Sequence, residues 1–481
     1  MASGSMAESA PGRRERREHR QGPELRPLPP PLIDRIALPA FVIALLFLSF
    51  LGGAMVILTN VFPAGPLSDA YRGGKALIDK TRASRDPLTS DFWMPERRPD
   101  QGVTIHDPAS AFPGYTLYTS GHGSEAFLFS MEGRLIHSWQ LPYSAIWSAE
   151  DSPIVEPQPD PFLYWRKAMM QPNGDLLALF VATGDTPWGY GLVKLDSESN
   201  VLWSYLGQTH HDLDIADDGR VYTLIHKMRR TTYEDFPQLT VPRLDDFVVV
   251  LSPDGEEEKR VSILDALVNS DYARLLHRVT WFNKHDFIHT NNIDYIDAEM
   301  AAVLPFAEEG QVLLSFRDID SIAVLDLEQE KIVWALRGAW LGQHDPDVLP
   351  NGNILLFDNI GHFGQGGESR VIEIDPLTGE EVWVYAGSAE QPFESRVRAA
   401  QQRLPNGNTL ITESTGGRLF EVTEDGRIVW EFINPIRARH PEDPDQVILP
   451  VVSWGQRIAA DDLQPAFHEA LQRKEEERSA Q

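Results

Sequence analysis

Between residues 106 and 455 apolar and polar positions alternate over short runs of four to eight residues, each closed by a compact turn sequence. That period belongs to half-buried β-strands rather than to helices. The clearest passage, 344–387, predicts four strands at 344–349, 353–359, 370–375 and 381–386, turned by Pro350-Asn351-Gly352 and Thr378-Gly379-Glu380. The next passage repeats it: Leu404-Pro405-Asn406-Gly407-Asn408 matches the first turn, 419–422 the third strand and 427–430 the fourth. Further copies surround Gln171-Pro172-Asn173-Gly174 with Trp203, surround Asp217-Asp218-Gly219, and run from His289 to Trp334, while a partial copy at 114–139 lacks its innermost strand. Trp334, Trp383 and Trp430 fall at one place in successive outer strands, where packing between repeats is expected of them. About six units of four strands predict an all-β fold, a six-bladed β-propeller. A strand from elsewhere, expected at 446–452, would complete the partial unit.

One stretch departs from this pattern. Residues 36–62 carry no charge and are long enough to cross a bilayer as a helix. A cleaved secretory signal is the rival reading, but the apolar core is too long for one and no clean small-residue cleavage site follows it. Arg13, Arg14, Arg16, Arg17, Arg20, Arg26 and Arg35 before the span outnumber Arg72, Lys75, Lys80 and Arg82 after it, which predicts that the bulk of the chain lies outside the cytoplasm. The expected organisation is a disordered cytoplasmic tail at 1–34, a transmembrane helix at 35–62, a linker at 63–105, the propeller at 106–455 and a C-terminal helix and tail at 456–481. It implies a single-pass protein of a bacterial inner membrane, with the propeller in the periplasm and the lipid bilayer as partner of residues 36–62.

Composition narrows the chemistry. The 481 residues include no cysteine, which excludes a disulfide framework, a cysteine-based zinc site and a thiol nucleophile. A formal net charge of −28 argues against nucleic acid as a partner, so any anionic ligand must be met by local positive groups. No phosphate-cradling Gly-x-x-x-x-Gly-Lys loop is present, and no cofactor is expected.

The repeats locate those groups. One rim of the predicted propeller carries only tight turns, whereas the other collects the long loops 183–190, 227–246 and 360–369, where binding and catalytic groups concentrate. His344 lies eight residues before Gly352 and His211 eight before Gly219, so the two occupy equivalent positions at the start of innermost strands. Arg166 stands at the same distance before Gly174, and His289 opens the innermost strand of the repeat between the two histidines. Arg317 and Asn291 are expected beside His289, and Asp358 and Asn359 beside His344. Three neutral imidazoles could bind a metal. The arginines would repel a cation and favour an anion such as sulfate, phosphate or carboxylate, and a histidine can also carry a group covalently between donor and acceptor. No metal is expected in this cluster. A non-catalytic propeller serving as a platform for an extracytoplasmic partner or glycan, and a metal-dependent hydrolase, are the competing readings.

These motifs resemble the bacterial arylsulfate sulfotransferases and their arylsulfotransferase-like relatives. The resemblance rests on His211-Asp212 before Asp218-Gly219, His289-Thr290-Asn291, Ser315-Phe316-Arg317, and Gln343-His344 followed by the run from Asn353 to Asn359. It extends over roughly 110–435, the unit at 404–435 being similar to the family's last blade. It implies transfer of a sulfuryl group from a phenolic sulfate ester to a phenolic acceptor, without a nucleotide donor, through a sulfohistidine at His344. His211, His289 and Arg317 would serve catalysis with His344, and Asn291, Arg166 and Asn359 would help bind substrate. Trp188, Tyr190 and Phe363 are candidates to stack on the aryl ring. Ala399 stands where neighbouring repeats carry histidine, and the loop Ile360-Gly361-His362-Phe363-Gly364-Gln365 departs from the family pattern.

Overall fold

The computed structural model describes residues 32–59, 61–67, 70–71, 86–185, 187–279 and 286–479. Residues 1–31 of the expected cytoplasmic tail and the middle of the expected linker fall outside them, while 32–34 belong to a helix. The chain divides into two compact units, residues 1–77 and 78–481. The first holds the helix Leu32–Thr59. Its segment Ala37–Thr59 has a mean hydropathy of 2.7 and no buried positions. At the helical rise it is about 35 Å long, enough for the hydrocarbon core of a membrane.

The second unit is all-β apart from short helical segments and the C-terminal helix Pro465–Ser479. Its described residues form six antiparallel sheets built on four strands each. In order from the innermost strand, sheet 1 is Val452–Ile458, Tyr115–Ser120, Glu125–Phe129 and Leu135–Gln140; sheet 2 is Leu163–Met170, Leu176–Ala182, Gly189–Leu195 and Val201–Tyr205. Sheet 3 is Thr209–Ile215, Val221–Arg229, Arg243–Leu251 and Glu257–Ser262; sheet 4 is Thr290–Tyr295, Val312–Phe316, Ser321–Asp326 and Lys331–Arg337. Sheet 5 is His344–Val348, Ile354–Asp358, Arg370–Ile374 and Glu381–Ala386; sheet 6 is Ala400–Arg403, Thr409–Glu413, Arg418–Val422 and Ile428–Ile433, with Gly102–His106 as a fifth, outermost strand.

The missing innermost strand of the partial repeat is Val452–Ile458, not 446–452, most of which lies in Asp443–Pro450 of a separate three-stranded sheet with Trp93–Pro95 and Ala438–His440. The reason is register: Trp454 to Ile458 pair with Thr119 to Tyr115, and Ser453 falls in the bulge between Val452 and Trp454. Much of the expected linker is also structured, since its strands Trp93–Pro95 and Gly102–His106 both pair with strands more than 300 residues away in sequence.

Two devices join the sheets. At the outer edge, indole N–H groups of Trp139, Trp203, Trp383 and Trp430 each donate to a turn carbonyl of the following sheet, at Gly174, Pro253, Glu424 and Met131. The turn under Trp203 requires glycine, because Gly255 has φ +86° and a Cβ there would lie 2.6 Å from the indole. At the inner edge each innermost strand touches the next, in the order 1, 2, 3, 4, 5, 6 and back to 1. Aspartates carry much of this join: Asp212 accepts from Asn292 Nδ2 (2.8 Å) and Ile293 N (3.2 Å), Asp214 from Tyr295 N (2.7 Å), and Asp345 from Gln401 N (3.0 Å). Arg166 donates to Ser453 O at 2.6 Å, and Lys167 pairs with Asp212 at 2.6 Å. Buried carboxylates that accept backbone N–H groups are far cheaper to hold than bare ones.

Candidate active site

Innermost strands break register at matching places. Bulges fall between Trp165 and Lys167, His210 and Leu213, Thr290 and Asn292, and His344 and Asp347. A bulge re-aims the side chain it carries; the first three carry Arg166, His211 and Asn291, and the fourth carries Asp345. His211 and His289 sit at φ +58° and +49°, and Asp345 and Arg398 at +55° and +60°. Such left-handed non-glycine residues cost roughly 1–3 kcal/mol each and concentrate at functional sites.

The bulges surround a cavity of about 320 Å³. Arg166, Trp188, His211, His289, Arg317 and His344 line it, together with Tyr164, Arg398, Asp91 and Phe92. His344, His211, His289 and Arg317 thus stand around one space. The His211 and His289 rings lie 4.8 Å apart edge to face, and Trp188 stacks on His289 at 5.8 Å. Arg317 leaves the end of its strand with its backbone N bonded to His289 O (3.2 Å), and its Nε donates to Asp318 at 2.8 Å.

His344 is almost fully buried, and its Nδ1 lies 2.7 Å from Asn359 Oδ1 and 3.1 Å from Gly342 O. The Asn359 amide nitrogen donates to Ser395 O (2.7 Å) and Arg398 O (2.6 Å). Those two carbonyls fix the amide orientation, so the Asn359 oxygen accepts and His344 Nδ1 carries the proton. Nε2 is then the nitrogen with a free lone pair. Burial first, and the Arg166 and Arg317 guanidiniums second, hold the His344 pKa well below that of an ordinary histidine. His211 is lowered likewise, by burial and by its His289 and His210 neighbours. His289 Nδ1 bonds Asp286 Oδ2, while its Nε2 is buried without a hydrogen-bond partner.

Asn291 is buried beside this group and donates to Gln343 O at 2.7 Å. Tyr190 and Phe363 stand elsewhere. Tyr190 is fully buried against Tyr143, its hydroxyl donating to Asp185 (2.7 Å) and accepting from Gln158 N (2.9 Å). Phe363 is 87% exposed, in a separate depression with His362 and Arg396. Sequence reasoning missed Arg398. It fills the gap at Ala399 from one residue earlier, lies over the Phe92 ring at 5.0 Å, pairs with Asp91 at 3.4 Å, and keeps a buried Nη1 without a hydrogen-bond partner. The arginine next to the anomalous alanine was the available signal. Asp91 and Phe92 escaped notice because they belong to the presumed linker.

Fold and site together define a protein of repeated antiparallel sheets whose strand ends gather histidines and arginines around one polar cavity. The chain belongs to the arylsulfotransferase family: the family model described as "Arylsulfotransferase (ASST)" matches residues 167–435, more than half of its length. Membership supports aryl sulfotransferase activity, with aryl sulfates and phenols as the substrate classes. No protein of curated function matches the chain. Among solved structures, a protein of unknown function from Bacteroides caccae aligns at 11% identity and TM-score 0.43, over 67% of this chain and 94% of that one. The WD40 β-propeller domain of Doa1 aligns at 11% and 0.37 over 75% and 96%, and a streptogramin B lyase at 12% and 0.38 over 76% and 95%.

Proposed function

We propose that this chain is a membrane-anchored aryl sulfotransferase working by a ping-pong route through His344, its six sheets forming the blades of one six-bladed propeller. The contacts that run from each innermost strand to the next and return to the first support that blade count. The apolar helix is the anchor, and the arginine bias before it favours a propeller on the periplasmic side of an inner membrane.

The observation that carries the mechanism is the Asn359–His344 hydrogen bond, which commits the proton to Nδ1 and leaves Nε2 as a neutral nucleophile. In the first half-reaction Nε2 attacks the sulfur of the aryl sulfate, the S–O(aryl) bond breaks, and the phenolate oxygen takes a proton from a neighbouring imidazolium, which is left as the neutral imidazole. His289, oriented by Asp286, is the candidate donor. In the second half the acceptor phenol gives its proton back to that imidazole as its oxygen attacks sulfur, and the N–S bond breaks. Arg166, Arg317 and Arg398 stabilise the charge on the sulfuryl oxygens in flight. Trp188, stacked on His289 at the cavity wall, offers a surface for an aryl ring.

The test uses a nitrophenyl sulfate donor and a phenol acceptor. His344→Asn should lose about 10³-fold or more in kcat, and wild type given donor alone should gain the mass of one sulfuryl group on His344. An active His344→Asn variant overturns the assignment.

A further inference from the structure

Next to His211, among residues that do not line the cavity, sheet 3 holds three more ionisable groups that the transfer reaction does not use. We propose that His210, His226 and Asp246 form a binding site for a divalent transition-metal ion of the Zn²⁺ class.

All three residues are 1–2% exposed. His226 and Asp246 face each other directly across neighbouring strands, and His210 comes from the adjoining innermost strand. Asp246 Oδ1 lies 3.3 Å from a ring nitrogen of His210 and 3.7 Å from one of His226, and the three donor atoms lie within 4.8 Å of one another. Ligands about 2.0–2.2 Å from a Zn²⁺ ion stand about 3–4 Å apart, close to the spacing of these atoms, and the two imidazole planes must tilt toward a common point to close the set. Two imidazoles with one carboxylate suit zinc, iron, cobalt and nickel, and do not suit calcium or magnesium.

A second observation points to a missing ligand. Both ring nitrogens of His226, and Nε2 of His210, are buried without a hydrogen-bond partner, although Asp246 is close. The two rings lie face to face, 3.8 Å apart and 8° from parallel. A buried imidazole nitrogen left in this state forfeits the hydrogen bond it would make in water, and a metal ion accepts the lone pair of one nitrogen in each ring. Asp246 Oδ2 is already engaged by Thr290 N at 2.8 Å, which orients the carboxylate and leaves Oδ1 for the ion.

Such an ion would act on the cavity through one hydrogen bond. His210 Nδ1 lies 2.7 Å from His211 Nδ1. With metal on His210 Nε2, the His210 proton must sit on Nδ1 and be donated to His211, which then carries its own proton on Nε2. The ion would thus settle the tautomer of a cavity-lining histidine without touching substrate.

The full-length protein, purified in detergent and stripped with a chelator, is titrated with Zn²⁺ and, separately, with Co²⁺. We expect one ion per chain and, for Co²⁺, the visible absorption of a low-symmetry site with nitrogen and oxygen ligands. His226→Gln and Asp246→Asn should each weaken binding by about 10²-fold or more while melting cooperatively. Sub-stoichiometric uptake by the wild-type protein overturns the proposal, as does unchanged affinity in the variants. If one variant fails to fold, the other and the wild-type stoichiometry still decide. Sulfuryl transfer is read separately, so an active enzyme that binds no metal refutes this site and leaves the His344 reaction standing.

Discussion

At the scale of single residues, the proposed reaction depends on which nitrogen of His344 holds the proton, and Asn359 decides it. Asn359→Ser removes the acceptor at Nδ1 and the two amide donations that hold the loop carbonyls of Ser395 and Arg398. We expect kcat to fall about 10²-fold, with KM for the donor little changed, because the nucleophile is misoriented rather than the anion site removed. Arg398 gives the opposite split. Its buried, unpartnered Nη1 borders the cavity, so Arg398→Met should lower kcat/KM about 10- to 10²-fold through weaker anion binding. Steady-state kinetics on both variants checks the pair. Since burial and two guanidiniums depress His344, its free lone pair should persist into mildly acidic solution. An acid limb in kcat/KM that belongs to His344 is expected below the ordinary histidine range.

At the scale of strands and sheets, the sequence revealed what repeats and hid what depends on register. His211 and His344 could be matched by counting back from turn glycines, since each innermost strand runs from the mouth to a tight turn of fixed form. The outer tryptophans were legible for the same reason. His226 and Asp246 were not, because their meeting depends on the pairing of strands Val221–Arg229 and Arg243–Leu251 across a long intervening loop. Arg398 was hidden by a one-residue offset, and Tyr190 misled because a loop-end aromatic is equally able to turn inward. Two predictions belong to this scale. Gly255→Ala places a Cβ against Trp203 at a positive φ and should cost about 2–4 kcal/mol of stability, read from the denaturant midpoint. The innermost strands also carry buried aspartates, and burial pushes the Asp345 pKa up from 3.8 to about 7. The folded state then keeps a proton that the unfolded state loses between those values, so this group's contribution to stability falls as pH rises from about 4 to 7. Asp345→Asn should flatten that part of the pH profile of the melting temperature.

At the scale of the whole molecule, charge and site oppose each other. The chain carries a formal −28, yet the cavity that would receive an anionic ester is walled by Arg166, Arg317 and Arg398. Two interactions with different ranges result. Repulsion from dispersed surface carboxylates acts over a Debye length, about 30 Å at 0.01 M salt and about 10 Å at 0.1 M, and is screened as salt is added. Attraction by enclosed guanidiniums acts over a few ångströms with little intervening water, and salt weakens it far less. The kcat/KM for an aryl sulfate should therefore rise, by a few-fold, as ionic strength increases from about 0.01 to 0.1 M, and then level off. A neutral phenol acceptor, varied at saturating donor, should show no such rise. A donor kcat/KM that falls steeply over the same range would mean that long-range attraction dominates, and would place the relevant positive field outside the cavity rather than on these three arginines.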